Sequence, residues 1–326
     1  MELLIVATSV LGLISVCRAL INFVKWVWVM FLRPPKKLKE YGSWAIITGS
    51  TDGIGKAMAF ELASKGLNLL LVGRNPLKLE ATSKEIRERH DVEVKFVVLD
   101  MQKVDGVDIA KRIEEAIQGL DIGLLVNGAG LAYPYARFFH EVDSELMDAI
   151  VKVNVVAPTW VTKAVLPSMI NKKKGAIINI GSGSTLVLPS YPLVTLYAAS
   201  KGYLAMFSKC ISLEYKHQGI DIQCQVPLFV STKMTKMKTS LFVPSPDMYS
   251  KTCTKWIGYE KVVVPYFLHS VQGFLIRAIP DAFVDSYLMR YFLYWRGRGL
   301  FKDSNINKTL APSKSQANTL KEGPTI

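Results

Sequence analysis

The chain opens on an apolar run. Leu3 to Cys17 carries no charge, and after Arg18 the apolar character resumes through Leu32, broken only by Asn22 and Lys25. A membrane-crossing helix needs about 20 predominantly apolar residues, and this run is longer. Glu2 stands where the basic region of a cleaved leader belongs, and no small-residue cleavage site closes the run. The pattern therefore predicts a retained span, ending near Trp26–Leu32, over a signal peptide. Trp26 and Trp28 suit the membrane–water boundary. Arg33, Lys36, Lys37 and Lys39 follow at once and mark the cytosolic side. Ser15, Arg18, Asn22 and Lys25 share one helical face. That seam fits snorkelling, an anchor lying in the membrane plane, or contact with another membrane protein. Arg33-Pro34-Pro35 stops the helix and makes 33–42 a stiff linker.

From Ser43 the pattern changes to short apolar runs alternating with helical periodicity. Strands are predicted at Trp44–Thr48, Asn68–Val72, Val94–Leu99, Gly123–Val126, Ala176–Ile180 and Ile220–Val226. Helices are predicted at Ile54–Lys65, Leu77–Arg89, Val107–Ile117, within Ser144–Ile170, and at Tyr197–Lys216. This alternation predicts an α/β fold: a doubly wound parallel sheet of Rossmann type behind an N-terminal membrane helix. Beyond Thr232 the alternation is expected to stop. Val262–Ile279 is apolar but interrupted by Pro265, His269, Gln272 and Arg277, and Phe283–Trp295 is aromatic-rich. The segment 235–300 reads as a substrate cover, a membrane-lying piece or a helical cap on the core. From Lys302 the chain turns polar, which predicts a disordered tail. The expected organisation is an anchor (1–32), a linker (33–42), a core (43–234), the covering segment (235–300) and a tail (301–326).

Half of the 326 residues are hydrophobic and 21% are charged, which excludes a disordered chain. The formal charge of +13 points to anionic partners: lipid or phosphate-bearing small molecules. Nucleic acid is not expected, because no zinc-finger spacing, aromatic RNA-binding motif or long arginine run is present. Cys17, Cys210, Cys224 and Cys253 form no Cys-x-x-Cys pair, so no metal or dithiol chemistry is expected and the thiols read as reduced.

The turn after the first strand is Thr48-Gly49-Ser50-Thr51-Asp52-Gly53-Ile54-Gly55. Glycines there allow a tight turn and close approach of backbone to a pyrophosphate, which the following helix N-terminus favours. A site for NAD usually carries an acid at the end of the second strand, to hold the ribose 2′-hydroxyl. This chain has Gly73-Arg74-Asn75 instead, and Arg74 suits a 2′-phosphate, so NADP(H) is the expected cofactor. Asp100, ending the third strand, is placed to accept from an adenine amino group. Asn127-Gly128-Ala129-Gly130 ends the fourth strand with small residues that admit ribose.

Tyr197-x-x-x-Lys201 puts a phenol and an ammonium on one helical face. At ~4 Å an ammonium contributes ~4 kcal/mol at an effective dielectric of 20, about three pKa units, which would bring the phenol towards working pH. The pair follows a serine-rich strand end, Ile180-Gly181-Ser182-Gly183-Ser184, where a hydroxyl could hold a substrate carbonyl.

Taken in order, Thr48-Gly49-x3-Gly53-x-Gly55, Asp100, Asn127-x-Ala129-Gly130, Asn154, Ser182 and Tyr197-x3-Lys201 resemble the short-chain dehydrogenase/reductase family over about Ser43 to Met234. The resemblance implies Tyr197 as proton donor, Lys201 as its electrostatic partner and ribose ligand, and Ser182 as the carbonyl's hydrogen-bond partner. It implies Asn154 as the anchor of a water relay and Thr232 as a contact of the nicotinamide carboxamide. Within the family, Gly49-Ser50-Thr51-Asp52-Gly53-Ile54-Gly55-Lys56, Pro189-Ser190-Tyr191-Pro192, Gln223-Cys224-Gln225-Val226-Pro227 and Ser231-Thr232-Lys233-Met234 are similar to the membrane-bound very-long-chain 3-oxoacyl-CoA reductases. They are similar too to 17β-hydroxysteroid dehydrogenase type 12. This implies NADPH-dependent reduction of 3-oxoacyl-CoA during fatty acid elongation at the endoplasmic reticulum membrane, with the domain facing the cytosol. Implied partners are the condensing enzyme, the dehydratase and the enoyl reductase, and a homodimer is possible. A ketosteroid or other lipid-carbonyl reductase and a weakly catalytic NADPH-binding scaffold are the alternatives. Three departures stand out. Gly128 replaces the family's second Asn, which is expected to loosen that turn. The gap from Ser182 to Tyr197 is two residues longer than the common family spacing, which makes Ser184 a rival for Ser182. The C-terminal residues are not a lysine-type retrieval signal.

Overall fold

The computed structural model describes residues 1–310. Helix α1 (Glu2–Val27) continues into a π-helical turn at Trp28–Leu32. None of its side chains is buried, and its 31 residues are long and apolar enough to cross a membrane. Pro34 disfavours helical backbone at the residue before it, and Arg33 accordingly turns extended. The linker does not run free. The Arg33 guanidinium donates to both oxygens of Glu260 at 2.6 and 2.9 Å and lies 3.7 Å from the ring centre of Tyr259. Tyr259 donates to the Pro34 carbonyl at 2.6 Å, Lys36 pairs with Asp221 at 2.7 Å, and Leu38 is buried. The N-terminal helix and the core are thereby joined by a fixed strut.

Seven parallel strands follow in the order β3-β2-β1-β4-β5-β6-β7. They are β1 (Trp44–Thr48), β2 (Asn68–Gly73), β3 (Val94–Val98), β4 (Ile122–Asn127), β5 (Gly175–Ile180), β6 (Ile220–Gln225) and β7 (Val262–Val263). Every residue of β1, β4 and β5 is buried, because helices cover both faces; that is why these strands read as unbroken apolar runs. One face packs on α2 (Gly53–Ser64) and α3 (Pro76–Arg89) through Met58, Leu62, Leu79 and Ile86. The other packs on α4 (Gly106–Ala116) and on a long helix from α5 (Ser144–Val151) into α6 (Ala157–Lys172). Between α5 and α6 lies a π-turn, Lys152–Val156. Pro158 has no N–H to give the Asn154 carbonyl four residues back, so the turn widens there. Then come α7 (Gly183–Leu186) and α8 (Thr195–Glu214), whose Ile211 joins the second face.

Two expectations are corrected beyond Thr232. The alternation does not stop: α9 (Pro246–Trp256) packs beside α2, and β7 adds a last parallel strand to β6. A two-residue strand is too short to show as a periodic run. The chain then forms α10 (Phe267–Arg277) and α11 (Asp281–Leu310), separated at Pro280. Helix α11 occupies 302–310, where a disordered tail was expected, and 311–326 lies outside the described residues. The strand order reverses between β1 and β4, and a cleft opens at the carboxyl ends of the strands there.

Candidate active site

The β1–α2 turn forms one wall of the cleft. Gly49 adopts φ +69°, and a Cβ there would lie 2.8 Å from the backbone of Ala129. A Cβ on Gly55 would strike the Gly49 carbonyl. The turn can therefore be built only from glycine at these points, and it leaves backbone N–H groups at the helix start facing the cleft. Asp52 caps α2 through the Gly53 N–H at 2.9 Å and pairs with Lys233 across the cleft mouth at 2.9 Å. Burial opposes its charge, but Lys233 and the Gly53 N–H outweigh it and hold the carboxyl below its usual range. Thr51, Ile54 and Arg74 line the cleft, Arg74 exposed at the end of β2. Asp100 lines it too and accepts from Gln102 N at 3.1 Å. Thr232 stands opposite Gly53, 3.3 Å from where a Cβ would be.

Two sequence-expected cofactor contacts lie elsewhere. Ser50 is fully buried, and its hydroxyl donates to the Val72 carbonyl at 3.3 Å. Asn127 sits at the end of β4 in register with Asn179 of β5, and its amide donates to Asn179 at 2.8 Å and Thr162 at 3.1 Å. Its side chain ties strand to strand and strand to helix behind the cleft. The cleft wall from that turn is Gly128-Ala129-Gly130-Leu131. Gly128 does not loosen it. Thr48 Oγ1 accepts from the N–H groups of Gly128 and Ala129 at 3.1 and 3.2 Å. A Cβ at 128 would come within 2.8 Å of the Thr48 carbonyl, so glycine lets the turn close onto β1. Thr48, the residue before the glycine turn, thus ties the end of β1 to the turn after β4.

Ser182 and Tyr197 meet on the opposite wall, joined by a hydrogen bond. Ser182 caps α7 and accepts from the Ser184 N–H at 3.2 Å and the Ser184 hydroxyl at 3.0 Å. Ser184 is buried outside the cleft and props Ser182. The loop before α8 reaches α11. Ser190 donates to Asp285 at 2.5 Å, and Tyr191 packs edge-on to Phe292 at 4.6 Å, so the longer spacing serves contact with α11.

Lys201 is buried beside Tyr197 and donates to the Ile180 carbonyl at 2.9 Å. Burial lowers its pKa to about 8. The phenol behaves otherwise than expected: burial raises the Tyr197 pKa, with the Ser182 hydrogen bond working the other way. Lys201 is turned to Ile180 and lies 5.9 Å from the tyrosine ring centre, so its charge does not dominate the phenol. Asn154, on the π-turn, accepts from Leu131 N at 2.8 Å and donates to Leu131 O and Ser200, both at 2.9 Å. Its Oδ1 and Lys201 Nζ flank Gly130, at 3.8 and 3.5 Å from a Cβ built there. No group of His, Cys, Asp or Glu able to hold a metal occurs among the described residues.

The model of the short chain dehydrogenase family matches residues 43–240. The chain belongs to this family. Among family members, a very-long-chain 3-oxoacyl-CoA reductase-like protein of Arabidopsis thaliana is 45% identical over 284 residues, 85% of this chain and 90% of the relative. The very-long-chain 3-oxoacyl-CoA reductase-B of Danio rerio is 36% identical and spans 91% of this chain and 95% of its own. An inactive hydroxysteroid dehydrogenase-like protein 1 of Homo sapiens is 38% identical over 75% of this chain and 74% of its own. Among solved members, a 7β-hydroxysteroid dehydrogenase superposes with TM-score 0.69 at 25% identity, over 77% of this chain and 98% of that one. A Sphingobium yanoikuyae short-chain dehydrogenase solved with NADPH gives 0.60 at 26%, over 73% and 97%. The short-chain dehydrogenase match thus covers strands β1–β6 and the residues that line the cleft. The family model ends at residue 240, before α9, α10 and α11.

Proposed function

We propose that this chain is an NADPH-dependent reductase of 3-oxoacyl-CoA thioesters, yielding 3-hydroxyacyl-CoA during elongation of very-long-chain fatty acids. The observation that carries the reading is the placing of the Ser182 and Tyr197 hydroxyls and Lys201 across one cleft from a glycine turn and Arg74. Relatives over most of the chain are named for this substrate. The cradle fits a dinucleotide: Gly49 and Gly55 let the turn close against Ala129 and onto itself, and the start of α2 lines the cleft. Arg74 suits the 2′-phosphate, Asp100 the adenine, Lys201 the ribose hydroxyls and Thr232 the carboxamide. NADPH, when bound, supplies the hydride.

The chain's own residues handle orientation and the proton. The Ser182 and Tyr197 hydroxyls donate to the 3-oxo oxygen, so charge is stabilised where it develops. Tyr197 then gives its proton to that oxygen. A raised pKa keeps the phenol protonated at neutral pH, which suits a donor in reduction. Lys201, cationic below about pH 8, and Asn154 beside it form the route by which a water re-protonates the phenol. Tyr197, Lys201 and Ser182 are all in place, which argues against the inactive state named for one relative. The apolar N-terminal helix and the basic residues after it support attachment to a membrane. We place that membrane at the endoplasmic reticulum, with the domain towards the cytosol near the condensing, dehydratase and enoyl reductase enzymes.

A ketosteroid reductase is the second reading, favoured by the apolar cluster of Tyr133, Leu188, Tyr191 and Leu193 that packs beside Tyr197. NADPH oxidation by full-length protein with a long-chain 3-oxoacyl-CoA and with a 17-ketosteroid tests both. Turnover of the thioester over the steroid is expected; steroid turnover alone selects the second reading, and NADPH binding without turnover makes the chain a scaffold.

A further inference from the structure

Helix α10 has two different faces. Inward, His269 and Gly273 are buried. The His269 ring meets Leu228 N at 3.3 Å and the Phe229 carbonyl at 3.1 Å, Gly273 sits against Val187, and Arg277 donates to the Leu186 carbonyl at 2.6 Å. This face rests on the segments that follow Ser182 and β6. Outward, positions 267, 270, 271, 274 and 275 follow the i, i+3, i+4, i+7, i+8 spacing of a single stripe. Phe267 begins it by packing on Trp26 and Phe31 of the anchor, ring centres 5.7 and 5.2 Å apart, and Trp26 donates to Ser270 at 3.2 Å. Past that contact the same stripe is bare: Phe274 is 73% exposed and Leu275 57%.

The bare surface continues. Ile279 precedes the turn, and α11 shows Phe283, Tyr287 and Tyr294 outward while Val284, Leu288 and Phe292 enter the core. Tyrosines at the edge of an apolar face suit a headgroup boundary, as does the exposed Arg290. The strut through Arg33, Glu260 and Tyr259 holds this surface in register with Trp26–Leu32, where the anchor meets the membrane boundary.

We propose that α10 and the first turns of α11 form a second membrane contact, lying in the plane of the bilayer interface beside the anchor, with lipid as its occupant. This rests on the reading of α1 as a membrane anchor. The stripe starts on that helix, so what surrounds the anchor's exit also meets Phe274 and Phe283. The contact sets the inward face of α10, and with it the Leu228 and Ser182 segments, directly above the layer into which long acyl chains partition.

The test uses full-length protein in phosphatidylcholine vesicles. Cys17→Ser and Cys210→Ser remove the exposed thiols, while Cys224 and Cys253 are buried. Single cysteines replace Phe274, Phe283, Leu20 in the anchor, and the exposed Lys84 on α3, which lies by the β3 edge of the sheet, opposite the β7 edge. Each carries an environment-sensitive fluorophore, and retained NADPH binding checks the fold. Doxyl-phosphatidylcholine should quench positions 274 and 283 as it quenches 20, while position 84 answers only to aqueous iodide. Quenching at 20 alone, with 274 and 283 open to iodide, overturns the proposal and leaves the anchor standing. Iodide access at 20 as well overturns the anchor reading itself. Shielding of 274 and 283 from both quenchers means that protein covers the face, and overturns the proposal too.

Discussion

Ser182 and Ser184 lie two residues apart, and the structure divides their work. Ser182 faces the cleft and bonds Tyr197, while Ser184 bonds Ser182 from behind. Ser182→Ala should lower kcat by roughly 10²-fold, and Ser184→Ala should cost far less. Steady-state rates at saturating NADPH check this, and the reverse order would move the carbonyl contact to Ser184. Arg74 is exposed and has no side-chain partner among the described residues, so its removal should not disturb the fold. Arg74→Ala should raise the KM for NADPH well above any change for NADH, and equal shifts would refute a 2′-phosphate role. Lys201 sets the pH dependence. Its pKa is lowered to about 8, so it is charged below that value and neutral above it. The kcat/KM for reduction should hold through neutral pH and fall about tenfold per pH unit beyond about 8. A profile still rising there would contradict a working ammonium. The sequence showed which residue types gather at the site but not where each side chain points. Ser50 and Asn127 belong to the motif and yet face inward. The matched Asn127 and Asn179 on neighbouring strands were the available sign, since paired buried amides satisfy one another.

At the level of elements, legibility followed burial. Strands β1, β2, β4, β5 and β6 stood out because helices bury them on both sides, and β3 because its apolar run is bounded by polar residues. Strand β7, α9 and the extent of α11 did not, because two residues carry no period and amphipathic helices rich in aromatics and charges blur theirs. The helix through residues 144–172 was legible in length but not in its π-turn, which places Asn154 against Leu131. Pro158→Ala would return an N–H to the Asn154 carbonyl and let the turn tighten. The expected result is a kcat about tenfold lower, since small displacements in a site are costly, with the melting temperature nearly unchanged. An unchanged kcat would show that the π-turn does not position Asn154.

For the whole molecule, the N-terminal apolar helix and the parallel sheet were readable from the chain, while the strut that fixes one to the other was not. Arg33–Glu260 and Tyr259–Pro34 join residues more than two hundred positions apart, and nothing local announces such contacts. The central claim is that Tyr197 donates the proton in a carbonyl reduction. Its most direct test is single-turnover NADPH oxidation by full-length membrane-bound protein with a long-chain 3-oxoacyl-CoA, comparing wild type with Tyr197→Phe. The substitution keeps the ring and removes the donor, so NADPH should still bind while the rate falls by at least about 10²-fold. A Tyr197→Phe protein that reduces the thioester at the wild-type rate would contradict the account.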